Sequence, residues 1–118
     1  AVNRASPDAA LMRRHGANAM RAMAYVFAHD GGAAAPAMRV RFFFPKHDAV
    51  VEDPGTGSAC ANLGGWFLAT GAGLPVRVDV LQGEHVGRPC RLGLEVTADR
   101  RILVSGRVVE IARGSVTL

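Results

Sequence analysis

The chain has 118 residues, 49% of them apolar and 20% charged, which suits one domain with one core and excludes intrinsic disorder. Its formal net charge is +4, but the basic residues are scattered, with no basic helix and no aromatic-rich strand motif. A nucleic-acid partner is therefore not expected, and the absence of any run of about 18 uninterrupted apolar residues excludes a membrane-spanning helix.

The N-terminus, Ala1-Val2-Asn3-Arg4-Ala5, has neither an initiator Met nor the apolar core of a signal peptide. It is expected to be a point of entry into a longer chain. Ser6-Pro7-Asp8 predicts a helix start, with Ser as cap, Pro at the first helical position and Asp at the positive end. Leu11 and Met12 are expected to face inward, and Gly16 to stop the helix. Residues 19–29 read equally as helix, from their Ala and Met content, or as a short strand through Tyr25, Val26 and Phe27. Asp30 to Pro36 is a loop of glycine and alanine.

The second half is more regular. Met38, Val40, Phe42 and Phe44 alternate with Arg39, Arg41 and Phe43, which predicts a half-buried strand ended by Pro45. Residues 58–70 are small and apolar, with Leu63, Trp66, Phe67 and Leu68 adding bulk and Gly71 a stop. They predict a helix surrounded on most sides. Val76, Val78 and Val80 form one alternating strand, and Leu92, Leu94 and Val96 another. A last pair is expected at Ile102 to Val104 and Arg107 to Ile111. The fold class is α+β: a curved antiparallel sheet wrapped around one apolar helix.

The stretch Lys46 to Ala59 carries the chemistry, between a strand end and the buried helix. Its glycines permit a tight turn, and the N–H groups near Gly57 and Ser58 point out of the helix N-terminus toward any anion there. An acid at Asp53 beside them can move a proton while those donors hold developing charge. Asp53 and Ser58 as plain helix caps are the simpler alternative. A phosphate-binding P-loop fails because no Lys follows Gly57, and a dinucleotide fingerprint fails at Cys60.

Three blocks in order, Arg41-Phe42-Phe43-Phe44-Pro45-Lys46-His47, Glu52-Asp53-Pro54-Gly55-Thr56-Gly57-Ser58-Ala59 and Gln82-Gly83-Glu84-His85-Val86-Gly87-Arg88-Pro89, resemble the phenazine-biosynthesis PhzF-like isomerase family. The resemblance implies a diaminopimelate-epimerase-like fold of two lobes with the active site between them. Residues 1–118 are similar to the C-terminal lobe alone. By resemblance Asp53 is the acid that relays a proton, and Gly57 and Ser58 hold the substrate's carboxylate. The family's Glu base and assisting His belong to the N-terminal lobe, which this chain lacks. Gly55 stands where Val or Ala is usual, and is expected to loosen the loop slightly. The implied reaction is a cofactor-free isomerisation of a small carboxylate, with no metal.

Other candidates have plainer readings. Cys60 and Cys90 are too few for a disulfide framework and lack metal-ligand spacing, so a reducing, cytoplasmic compartment is expected. Cys60 lies near the helix end that lowers thiol pKa, yet an inert core cysteine is the better reading. His47 either shapes the pocket or is a solvated loop residue, and His15, His29 and His85 have no metal spacing. Trp66 and Phe67 read as core or lobe packing. Gln82-Gly83 and Gly87-Arg88-Pro89 read as a strand connection, with Arg88 as a possible carboxylate partner. The alternative to an enzyme is a non-catalytic lobe that binds a small anion at the same helix start. Apolar surface for the missing lobe, and an unpaired last strand near Val108 to Ile111, predict a homodimer or larger assembly of the isolated chain.

Overall fold

The computed structural model describes residues 2–16, 22–30 and 37–117. Its elements run α1 (Ala9–His15), β1 (Ala24–His29), β2 (Ala37–Lys46), β3 (Ala49–Asp53), α2 (Gly57–Ala69), β4 (Val76–Gln82), β5 (Cys90–Val96) and β6 (Ile102–Gly106). Residues 24–29 of the ambiguous segment are strand. Its residues 19–21, and residues 31–36 of the glycine-alanine loop, lie outside the described residues.

Period-2 burial builds the sheet. Val78 and Val80 of β4, with Leu94 and Val96 of β5, point into one core with Met38 and Val40 of β2. The strands follow the order β1-β2-β4-β5-β6, with β3 also paired to β2, in one curved six-stranded sheet. Most pairings are antiparallel, but β4 lies parallel to β2 over Ala37–Arg39. That parallel pair departs from the all-antiparallel expectation. It arises because the chain crosses back through β3 and α2 before β4 begins, and such a crossover lets two strands run the same way.

The long β2 organises the topology. β1 covers one side of it over Met38–Phe43, so β3 and β4 must share the other side. β3 pairs with Phe42–Lys46 and β4 with Ala37–Arg39, and the two strands run toward each other. Their C-terminal residues, Asp53 and Gln82, therefore converge opposite the short gap at Val40 and Arg41.

Helix α2 buries Ala59, Cys60, Leu63, Gly64 and Phe67 against the sheet. Both edge strands reach it. Phe27 of β1 meets Trp66 edge-on at 5.0 Å, and Ile102 of β6 comes so near Gly64 that a Cβ there would sit 2.7 Å from it. The sheet thus wraps the helix, and the small residues of α2 permit the close approach. The helix is not surrounded on every side: Gly57, Ser58, Asn62, Trp66 and Ala69 are exposed.

Several local expectations are corrected. Asp8, not Ser6, caps α1 by accepting from the Leu11 N–H at 2.8 Å, and Leu11 itself is 52% exposed. Gly16 does end α1, with its α-carbon packed close to Ala22. Pro45 does not end β2. It faces Val50 of β3 beyond the end of β1, where a missing N–H costs no ladder bond. Arg41 and Phe43, assigned to the solvent side, are both buried. Arg41 pairs with Glu52 through two hydrogen bonds of 3.0 and 2.7 Å, donates to the Val2 and Ala5 carbonyls, and stacks over the Phe43 ring. So charged a group is buried only because each guanidinium nitrogen has an acceptor.

Arg107 to Ile111 forms no strand, and Val108 and Ile111 are about nine-tenths exposed. The β5–β6 ladder stops at the Gly106–Leu92 pair, two residues short of the start of β5.

Among the described residues, one buried side-chain polar atom is unsatisfied. The Tyr25 hydroxyl has no hydrogen-bond partner among the described residues, and burial pushes its pKa up. Tyr25→Phe should therefore raise the stability of the chain by about 1 kcal/mol, read from the urea midpoint, because it removes a group desolvated without return. A lower midpoint would show that the hydroxyl is paired.

Candidate functional site

The segment expected to be one loop divides into a two-residue turn, a strand and a second turn. Lys46 pairs with Ala49 across His47-Asp48, and His47 takes a left-handed φ of 53°. Val50 and Val51 are β-branched residues suited to the strand that follows, but Pro45 masks it in the sequence. Strand β3 sets His47 at one end and Asp53 at the other, at least about 13 Å apart at strand rise. His47 is exposed there, with its carbonyl accepting from Arg13, and takes no part in the Asp53 site.

Asp53 ends β3 half-buried, and Gly57 and Ser58 open α2 with both residues exposed. Thr56 joins them. It occupies the N-cap position of α2, yet its hydroxyl makes no capping bond. It donates instead to Oδ2 of Asp53. A side-chain cap is typically worth about 1 kcal/mol, so Thr56 forgoes a normal stabilising role. The first N–H groups of α2 consequently have no side-chain acceptor from the cap, at the end where the helix dipole favours negative charge.

Gln82, expected to lie in a strand connection, is instead the last residue of β4, and its part in the site was not expected. Its side chain is 1% exposed at the end of β4. Nε2 donates to the Asp53 carbonyl at 2.7 Å and to the Thr56 hydroxyl at 3.0 Å, and Oε1 accepts from the Thr56 N–H at 3.3 Å. All its described hydrogen bonds thus go to residues 53–56. No local spacing signals this, because the partners lie 26 and 29 residues away along the chain.

The adjoining Gly83 must be glycine. Its φ is +80°, and a Cβ would fall 2.2 Å from the Arg88 carbonyl and 2.5 Å from that of Pro54. Gly55 acts by closeness rather than looseness. A Cβ there would lie 2.8 Å from the Cys90 sulfur, so the glycine admits Cys90 against the turn. Pro54, Gly55, Arg88, Pro89 and Cys90 line a cleft of about 440 Å³ beside the acid turn. Arg88 is exposed and has no ion pair among the described residues.

A hollow of similar size, about 480 Å³, lies on the outer face of β4, β5 and β6. It contains none of the candidate residues. Arg77 there pairs with Glu95 across the strands, an exposed contact of little weight. The turn beside Asp53, which concentrates an acid, free helix N–H groups and a buried amide, is the better candidate.

Asp53 thus ends a strand beside the start of a helix that has no side-chain cap. A family described as phenazine biosynthesis-like protein matches residues 1–114, and the chain belongs to that family. It is also 48% identical over 75 residues to a curated protein of Pasteurella multocida (strain Pm70) named as an uncharacterized isomerase. That match covers 64% of this chain and 26% of the relative, so the chain spans about a quarter of the relative's length.

Cys60 lies in the first turn of α2 and Cys90 lines the cleft. Cys60 is fully buried, and burial, with a smaller contribution from Cys90, pushes its thiol up to about 11. The helix end does not overcome that desolvation. At pH 8 only about one Cys60 thiol in a thousand is ionised. Iodoacetamide at pH 8 should therefore label Cys90, which lines the cleft, and spare Cys60 until the pH nears 11 or the chain is unfolded. Equal labelling of both at pH 8, read by peptide mass, would contradict this burial.

Proposed function

We propose that this chain is the C-terminal lobe of a two-lobe isomerase that moves a proton on a small carboxylate. The observation that carries the reading is the pairing of Asp53 with an uncapped helix start: one group exchanges a proton, the other holds negative charge. Asp53 acts as the acid, and the N–H groups at Gly57 and Ser58 bind the substrate's carboxylate or the enolate-like charge that develops beside it.

The proposed step balances without oxidant or reductant. A base on the other lobe removes a proton from carbon, and Asp53 returns one elsewhere on the same molecule. One C–H bond breaks and another forms, so the residues require no cofactor for this step. The relative's name as an isomerase and the membership of the family support the reading. Because one wall of the site belongs to the partner lobe, the 118-residue chain is proposed to be inactive alone and to associate, with that lobe or with a second copy.

Expression of the chain joined to its N-terminal lobe, followed by solvent-deuterium uptake into a panel of small carboxylic acids, tests this. Asp53→Asn should keep the fold and lower uptake by about 10²–10⁴-fold, the usual worth of a positioned acid. Unchanged uptake removes Asp53 from the reaction. Carboxylate binding at Gly57 and Ser58 with no uptake in the parent protein selects the non-catalytic anion-binding lobe instead.

A further inference from the structure

We propose that Gln82 is the residue that positions the Asp53 carboxylate, acting through the Thr56 hydroxyl, and that it thereby reserves Oδ1 of Asp53 for the substrate's proton. This rests on the reading of Asp53 as the acid.

Two groups beside the Gln82 amide have fixed roles. The Asp53 carbonyl can only accept and the Thr56 N–H can only donate. A carboxamide facing both has one satisfactory orientation: its NH₂ toward Asp53 O and its Oε1 toward Thr56 N, as found. The reversed amide would set oxygen against oxygen and N–H against N–H. In the found orientation the second Nε2 hydrogen points at Thr56 Oγ1. That hydroxyl already receives a proton there, so its own single proton is free for Oδ2 of Asp53, where the structure puts it.

The chain of consequence is directional. The backbone orients the Gln82 amide, the amide orients the Thr56 hydroxyl, and the hydroxyl engages Oδ2 of Asp53. Oδ1 has no hydrogen bond among the described residues, and is the oxygen left to exchange a proton. Burial of Gln82 keeps water from competing for these bonds. Gln82 does not touch the reacting atoms and is a positioning residue.

Carbon-13 NMR of the 118-residue chain tests this without any substrate. The readouts are the Asp53 side-chain carboxyl resonance and amide hydrogen exchange. Thr56→Val should move that resonance by removing its donor, and Thr56→Ser should leave it near the parent position. Gln82→Met, of similar length but without polar atoms, should move it in the same sense. The double variant should move it no further than Thr56→Val alone, since the two residues act in series. Exchange at the Thr56 amide should quicken about tenfold in Gln82→Met, the worth of one hydrogen bond, while Val80 and Leu94 stay within about threefold.

An unmoved Asp53 resonance in Gln82→Met, or additive shifts in the double variant, overturns the proposal. An unmoved resonance in Thr56→Val overturns it even if Gln82→Met does not fold. These results stand apart from the acid reading. Serial shifts together with full deuterium uptake by Asp53→Asn would keep Gln82 as the positioning residue and discard Asp53 as the acid.

Discussion

Two strands that run head-on along one side of β2 impose the constraint on which the rest of this structure turns. β3 arrives from the hairpin and β4 from the helix crossover, and neither continues past the other. Where they stop, opposite Val40 and Arg41, the backbone loses regular ladder partners in a region too buried for water to replace them freely. The Gln82 carboxamide meets that need, donating to the last carbonyl of β3 and accepting from the Thr56 N–H. A polar side chain at 1% exposure is tolerated because its hydrogen bonds are made.

The same junction explains why an acid and a helix start come together. The chain leaves β3 at Asp53 and turns within three residues into α2, whose buried face must lie on the sheet. Gly83 and Gly55 allow the neighbouring loop and Cys90 to pack against that turn. On the other face, the buried Arg41–Glu52 pair anchors β3 one residue before the acid and gathers the N-terminal residues over Phe43. Successive residues of a strand point to opposite faces, so Glu52 serves the fold and Asp53 the site. Scaffold and chemistry are thus adjacent in sequence but separated in space.

Much of this was legible in the sequence, for physical reasons that differ by element. Strands β4 and β5 show in their valine and leucine alternation because burial on one face demands it. Helix α2 shows in its small apolar residues and in Gly71, which takes a left-handed φ of 73° just past its end. Asp53, Gly57 and Ser58 were visible because a turn into a helix and a family resemblance both mark them. Strand β3 was hidden by Pro45, which is harmless where β1 has already ended. The burial of Arg41 was hidden because its acceptors, the Glu52 carboxylate and backbone carbonyls of the N-terminal segment, are brought to it only by the fold. Gln82 opens one of the three family blocks, but its role carries no local signal, since that role comes from the topology that brings two strand ends together.

The buried, fully engaged amide that holds this junction can be read directly from the side-chain amide protons of Gln82. Nitrogen-15 NMR of the chain should show two distinct Gln82 protons that exchange with solvent far more slowly than those of an exposed carboxamide. Both donate to fixed acceptors in the structure. Exchange of the two protons at the rate of an exposed carboxamide would contradict the account, because the turn that carries Asp53 would then be held by something other than Gln82.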